Sequence, residues 1–157
     1  MAATQRRNRQ IMMTPAERDT FLAGQHTCRV ATVSADGRPH VSPLWYIWDG
    51  TSLWLYSLTR SRRWEQLLRD PRLAVVVDTG EAYGELRGVE LSGAAVPVGE
   101  APRTGEPCPE LELPESLFAR KYFGSDSDSL PHDGRHAWLR LTPETVVSWD
   151  LGKLTAS

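Results

Sequence analysis

Short runs of β-branched and aromatic residues, cut at tight intervals by Asp-Gly pairs, constrain the fold of this chain more than any other feature. Arg29 to Ser34 leads to Ala35-Asp36-Gly37, Pro39 to Trp48 leads to Asp49-Gly50, and Ser52 to Ser57 follows. Asp-Gly between such runs is a strong hairpin signal, because the favoured two-residue turns need positive φ, which these residues tolerate. The spacing predicts a three-stranded antiparallel meander. Leu73 to Asp78, continuously apolar, reads as a strand buried on both faces. Gly88 to Val98 reads as a long strand with a bulge or barrel corner at Gly93. His136 to Leu141 and Thr145 to Asp150 complete the set.

Helices are few. Thr14-Pro15-Ala16-Glu17 carries an N-cap, a proline at the first helical position and a capping-box glutamate, so a helix runs to Ala23 and ends at Gly24. Ser61 caps a second helix from Arg62 to Arg69, which Asp70-Pro71 stops. A third spans Glu115 to Phe123. Residues 99–113, dense in proline, glycine and glutamate, and residues 124–134 read as loops. Six or seven strands with so little helix, in a chain of 157 residues, predict a mainly β, closed or partly closed antiparallel barrel. The organisation expected is a flexible N-terminal tail over residues 1–13 and a single domain over 14–157.

Several function classes fall away on composition. The apolar runs are too short for a membrane span, and Met1 to Met13 lacks an apolar stretch of signal-peptide length. A cytoplasmic protein is expected. A net charge of −2 offers no field for nucleic acid. Cys28 and Cys108 form neither a disulfide framework nor a zinc spacing. His132 and His136 stand four apart in a glycine-flanked loop without a third ligand, so no metal site is expected.

One segment carries chemistry. Ser57 to Arg72, SLTRSRRWEQLLRDPR, brings a strand end, then Thr59 and Arg60, then Ser61-Arg62-Arg63 at the first turn of a helix. Free backbone N–H groups, the positive end of the helix dipole, hydroxyls and guanidinium forks converge there, a combination suited to a phosphate. The strand Leu53 to Ser57 delivers this loop from the core to the rim of the barrel.

These residues resemble the pyridoxamine 5′-phosphate oxidase-like split-barrel flavoproteins, in particular their actinobacterial branch that uses FMN or the deazaflavin coenzyme F420. The resemblance runs from Phe21 to Val98. It is carried by Asp36-Gly37-Arg38-Pro39-His40-Val41-Ser42-Pro43-Leu44-Trp45, by Tyr56-Ser57, by Ser61-Arg62-Arg63 and by Leu67-Leu68-Arg69-Asp70-Pro71-Arg72. It implies a split β-barrel of six to seven strands, and an oxidoreductase that moves hydride to or from a small organic substrate. It also implies a homodimer. In that family the cofactor phosphate is held by the residues matching Arg62 and Arg63; Tyr56, Ser57, Thr59 and Ser61 stand around them here, and Trp64 is suited to the core, to a dimer interface or to stacking near the cofactor. The backbone of Val41, Ser42, Pro43, Leu44 and Trp45 lines the flavin ring. Arginine at 63, where the family has lysine, keeps the charge and changes the geometry.

Phe118 to Gly124 and Ser148 to Lys153 resemble later segments of the same branch, which makes Trp149 and Lys153 candidates to approach a partner's cofactor. Trp149 is equally suited to capping the barrel, and His40 and Lys121 to structural roles. Arg6, Arg7, Arg9 and Arg60 offer either a basic approach for the acidic tail of F420 or a plain basic tail. A non-catalytic flavin carrier would use the same phosphate anchor. A true pyridoxamine-phosphate oxidase is not expected, because a basic C-terminal segment for the substrate phosphate is not found before Ser157.

Overall fold

The computed structural model describes residue 5, residues 8–127 and residues 129–156. Seven strands and three helices follow the order α1 (Pro15–Gly24), β1 (Thr27–Val33), β2 (Pro39–Trp48), β3 (Leu53–Leu58), α2 (Arg62–Arg69), β4 (Arg72–Thr79), β5 (Arg87–Val98), α3 (Pro109–Phe123), β6 (His136–Leu141) and β7 (Thr145–Asp150). Six strands close an antiparallel barrel in the order β1-β2-β3-β6-β5-β4, and β4 returns to β1. β7 is added outside the ring, on β5.

Turn chemistry sets the meander. Gly37 and Gly50 both have positive φ, at 84° and 96°. In the second hairpin the Asp49 carboxylate accepts from the Thr51 and Ser52 amides and from Trp54 Nε1. The Thr14 capping box of α1 is formed in both directions at 3.2 Å. Gly93 marks the corner where β5 leaves β7 and takes up β6. A Cβ there would stand 3.0 Å from Leu141 and 3.2 Å from the Thr142 carbonyl, so glycine lets the turn between β6 and β7 close onto the strand.

α3 begins at Pro109, six residues before the expected start at Glu115. Proline is at home at the first helical position, and the buried set Leu111, Pro114 and Phe118 follows helical spacing. Beside the domain, Arg9–Ile11 form a helical turn, and Gln5 exchanges hydrogen bonds with the Ser148 backbone.

Side-chain alternation makes two cores. Odd residues of β3 and β6, such as Leu55 and Leu139, join Val30, Val75 and Leu91 inside the barrel. Even residues Trp54, Tyr56 and Trp138 face outward and are covered by Leu111 and Phe118 of α3.

The barrel is split. β2 pairs with β1 along Pro39–Trp45 and with β3 only from Tyr46 to Trp48. Beyond Leu55, β3 keeps β6 but loses β2. A cleft therefore opens between Pro39–Trp45 and Tyr56–Leu58, with α2 at its head and α3 along its side.

Candidate functional site

The phase of α2 decides which arginine enters the cleft. Trp64 and Leu67 bury into the barrel core, so Arg63 and Gln66 lie on the same inward face, while Arg62, Glu65 and Leu68 are exposed. Ser61 caps the helix: its hydroxyl accepts from the Trp64 amide at 3.1 Å and donates to the Leu58 carbonyl at 2.8 Å. The Thr59 amide donates to the Arg135 carbonyl at 3.0 Å, which ties this loop to the start of β6.

Arg63 spans the split. It is 7% exposed. Its Nη1 donates to Ser42 Oγ on β2 at 2.7 Å, and Nε and Nη2 donate to Ser57 Oγ on β3 at 3.2 and 3.1 Å. The guanidinium so replaces the strand pairing that β2 and β3 lack here. Every one of these acceptors is a neutral hydroxyl. Among the described residues no carboxylate pairs with Arg63, and burial pushes its pKa down. Three of its five N–H groups are used, which leaves two donors and a whole charge without a counterpart. A bidentate phosphate supplies both. The residues present fit the anionic end of a flavin-type cofactor.

Two cavities flank this anchor. One, of about 510 Å³, is lined by Thr59, Arg60, Ser61, Gly134 and Arg135, which places two further exposed arginines beside the capped helix start. The other, of about 410 Å³, lies on the α3 side of the split between Leu44 and Trp45 of β2, Tyr56 of β3 and Phe118 of α3. Trp45 stacks on Tyr122 with ring centroids 4.3 Å apart and planes 9° from parallel. The Tyr122 hydroxyl accepts from the Tyr46 amide at 3.0 Å where β1 no longer reaches β2.

The sequence profile of the pyridoxamine 5′-phosphate oxidase family matches residues 14–150. The chain belongs to the pyridoxamine 5′-phosphate oxidase family. No curated protein matches it. Among solved structures, a conserved hypothetical protein of Mycobacterium tuberculosis is similar at 26% identity and a TM-score of 0.79, over 99% of this chain and 94% of that one. A FAD-binding protein of Mesorhizobium loti aligns at 20% identity and TM-score 0.63, over 87% and 93% of the two chains. An F420 reductase aligns at 20% identity and TM-score 0.58, over 82% and 94%. The last two share the fold.

Within this oxidase-family barrel the sequence candidates divide. Ser42, Ser57, Ser61 and Arg63 come together at the split, and Leu44, Trp45 and Tyr56 line the adjoining aromatic cavity. Val41 and Pro43 point outward and are exposed. Trp64 is a core residue, 6% exposed, and does not face the cleft. Arg62 lies outside the cleft on the solvent face of α2. Trp149 and Lys153 lie at the β7 end, four strands from β2 by way of β1, β4 and β5. There Trp149 covers Gly88, and Lys153 pairs with Glu17 at 2.6 Å. Arg9 is exposed, and Arg6 and Arg7 fall outside the described residues.

Some pairings around the site have no mark in the sequence. Asp133 holds His136, and Glu115 holds both His132 and the buried Arg103. His40 has a buried Nδ1 with no partner among the described residues. Lys121 lies over the Tyr46 ring at 4.1 Å, and burial pulls its pKa down to about 8. Burial also pushes the Cys28 thiol up to about 12, which marks it as a core thiol, not a nucleophile. No cluster of metal-binding side chains occurs among the described residues, and no helix there is long and apolar enough to cross a membrane.

Proposed function

We propose that this chain is a cytoplasmic, homodimeric oxidoreductase of the actinobacterial branch, which holds F420 or FMN by its phosphate and moves hydride to or from a small organic substrate. The observation that carries the reading is Arg63: a buried guanidinium, bound among the described residues only to the hydroxyls of Ser42 and Ser57, at the capped start of a helix. Burying a cation without an anion is costly, and a phosphate ligand removes that cost. When bound, the coenzyme ring supplies the hydride chemistry. The chain's part is to clamp the phosphate, to present the unpaired edge of β2 to the ring, and to keep water from the aromatic side of the split.

Two further observations support the finer points. Arg60 and Arg135 beside the anchor provide a second place for negative charge, which favours the deazaflavin with its acidic tail over FMN. The outward face of β2 presents Pro39, Val41, Pro43 and Trp45, with Val41 66% and Trp45 47% exposed, a contiguous apolar stripe of the kind a second copy covers.

Titration of the purified protein with each coenzyme, followed by its visible absorption, tests the reading. Saturable binding that Arg63→Ala weakens by at least about tenfold is expected, from the loss of a charge-assisted contact of about 1.5–3 kcal/mol. Equal affinity of wild type and variant for both coenzymes would overturn it. Steady turnover with an electron acceptor separates an enzyme from a carrier.

A further inference from the structure

α3 has a second face that the redox site does not use. Phe118 and Tyr122 turn toward Trp45, whereas Leu117, Arg120 and Lys121 line a separate cavity of about 310 Å³. Ile47 and Trp48, at the far end of β2, complete its apolar wall, and Ala23 of α1 stands at its edge. It shares no lining residue with the aromatic cavity beside the split. Small-molecule sites begin at about 300 Å³.

The chain has two lysines, and the fold treats them in opposite ways. Lys153 pairs with Glu17 at 2.6 Å and donates to the Met12 carbonyl at 3.0 Å. Lys121 is half-buried and meets no carboxylate among the described residues. Its Nζ lies 4.1 Å from the centre of the Tyr46 ring and 5.4 Å from that of Tyr122, and it donates only a long hydrogen bond, 3.4 Å, to the Tyr46 carbonyl. Beyond these phenols, its ionisable surroundings are the buried Cys28 thiol and the exposed Arg120, which forms no ion pair among the described residues. Arg18 and Asp19 are engaged with the Trp48 indole.

Burial holds Lys121 near a pKa of about 8. Roughly one-tenth of it is then neutral at pH 7, against about one part in 2,500 for a solvated lysine. Desolvation beside another cation is how a lysine becomes a nucleophile.

We propose that Lys121 and this cavity form a carbonyl-capture site for an aldehyde that bears a carboxylate. The hydrocarbon body lies against Trp48 and Leu117, the carboxylate faces Arg120, and the carbonyl carbon becomes an imine on Nζ. In the step, the amine lone pair forms a C–N bond and the C=O π pair moves to oxygen. One amine proton passes to that oxygen to give a carbinolamine. The C–O bond then breaks, the second amine proton leaves with the oxygen as water, and the nitrogen lone pair closes C=N. No electrons are exchanged with a further reactant. A neutral imine also removes the cost of keeping an ammonium in this apolar setting.

Reductive trapping tests the site, with 4-formylbenzoate as the probe, cyanoborohydride as the trap and peptide mass mapping as the readout. It uses the purified protein without coenzyme, so its outcome is independent of the preceding reading. At about pH 8, Lys121 labelling should saturate with probe concentration and exceed that of Lys153 by at least about tenfold. The α-amino group, an exposed amine of similar basicity, should label in linear proportion to the probe. Lys121→Arg should abolish the saturable adduct. Arg120→Gln should raise the half-saturating concentration of 4-formylbenzoate by about threefold and leave that of benzaldehyde unchanged. Linear labelling of Lys121, or labelling equal to that of Lys153, overturns the site. An Arg120→Gln protein that matches wild type with both aldehydes overturns the carboxylate assignment.

Discussion

Replacing Arg63 by methionine should stabilise the coenzyme-free protein while abolishing its response to phosphate ligands. The guanidinium is 7% exposed and, among the described residues, is compensated only by the hydroxyls of Ser42 and Ser57. Each charge-assisted bond contributes about 1.5–3 kcal/mol, against a desolvation penalty of several kcal/mol for the ion. Exchanging buried ionic groups for apolar ones of similar volume stabilises by about 1–4 kcal/mol where it has a net effect. Here the gain falls at the low end, about 1–2 kcal/mol, because two serines lose a donor. Ser57 retains Ser61 and the Leu58 carbonyl within 3.4 Å, and Ser42 is half-buried and open to water. For a domain of this size the gain raises Tm by about 2–8 °C. Thermal unfolding in phosphate-free buffer, with and without FMN, is the assay. Ligand at a hundred times its Kd adds about 2.7 kcal/mol to wild type and nothing to the variant. A variant less stable than wild type by more than about 1 kcal/mol would refute the reasoning. Arg63 would then be a brace across the split and not an anchor awaiting an anion.

Three further outcomes follow from particular contacts. Gly88→Ala places a Cβ 2.2 Å from the Trp149 ring, so it should cost about 1–3 kcal/mol in urea unfolding. No loss would mean that Trp149 does not lie on β5. Arg103→Met strands the Glu115 and Glu100 carboxylates beside a 4% exposed position, and a loss of about 3 kcal/mol is expected in the same assay. Lys121 has a folded pKa of about 8, below its unfolded value, so the unfolded chain binds more protons between the two. Its contribution to stability therefore rises with pH from about 8 to about 10.4. Cys28, pushed up to about 12, acts in the opposite direction above its unfolded pKa. The difference in Tm between wild type and Lys121→Met isolates the lysine, and a difference that does not change across that window contradicts its burial.

Much of the barrel was legible because its signals are local. The Asp-Gly turns, the Thr14 capping box and the Gly93 corner each act within a few residues, and all are formed. α3 starts earlier than the sequence predicts because prolines at 109 and 114 read as loop chemistry, although Leu111, Pro114 and Phe118 mark a helical face. The closure of β3 and β5 onto β6 depends on long-range pairing that no motif announces. At the site, the segment from Ser57 to Arg63 was readable as a cluster but its geometry was not. Trp64 and Leu67 define the buried face of α2 and turn Arg63, not Arg62, into the split. That helical phase was available in the sequence. The Ser42–Arg63–Ser57 bridge was not, because it exists only where two strands fail to pair. The Asp133–His136 and Arg103–Glu115 pairs come from segments whose polar residues follow no pattern.

The most direct measurement is a crystal structure of the protein with FMN or F420 bound. The phosphate should lie at the head of the split, within hydrogen-bond distance of the Arg63 guanidinium and beside the start of α2, with the ring along the edge of β2 from Val41 to Trp45. A coenzyme phosphate held elsewhere, with Arg63 still bound only to Ser42 and Ser57, would contradict the account.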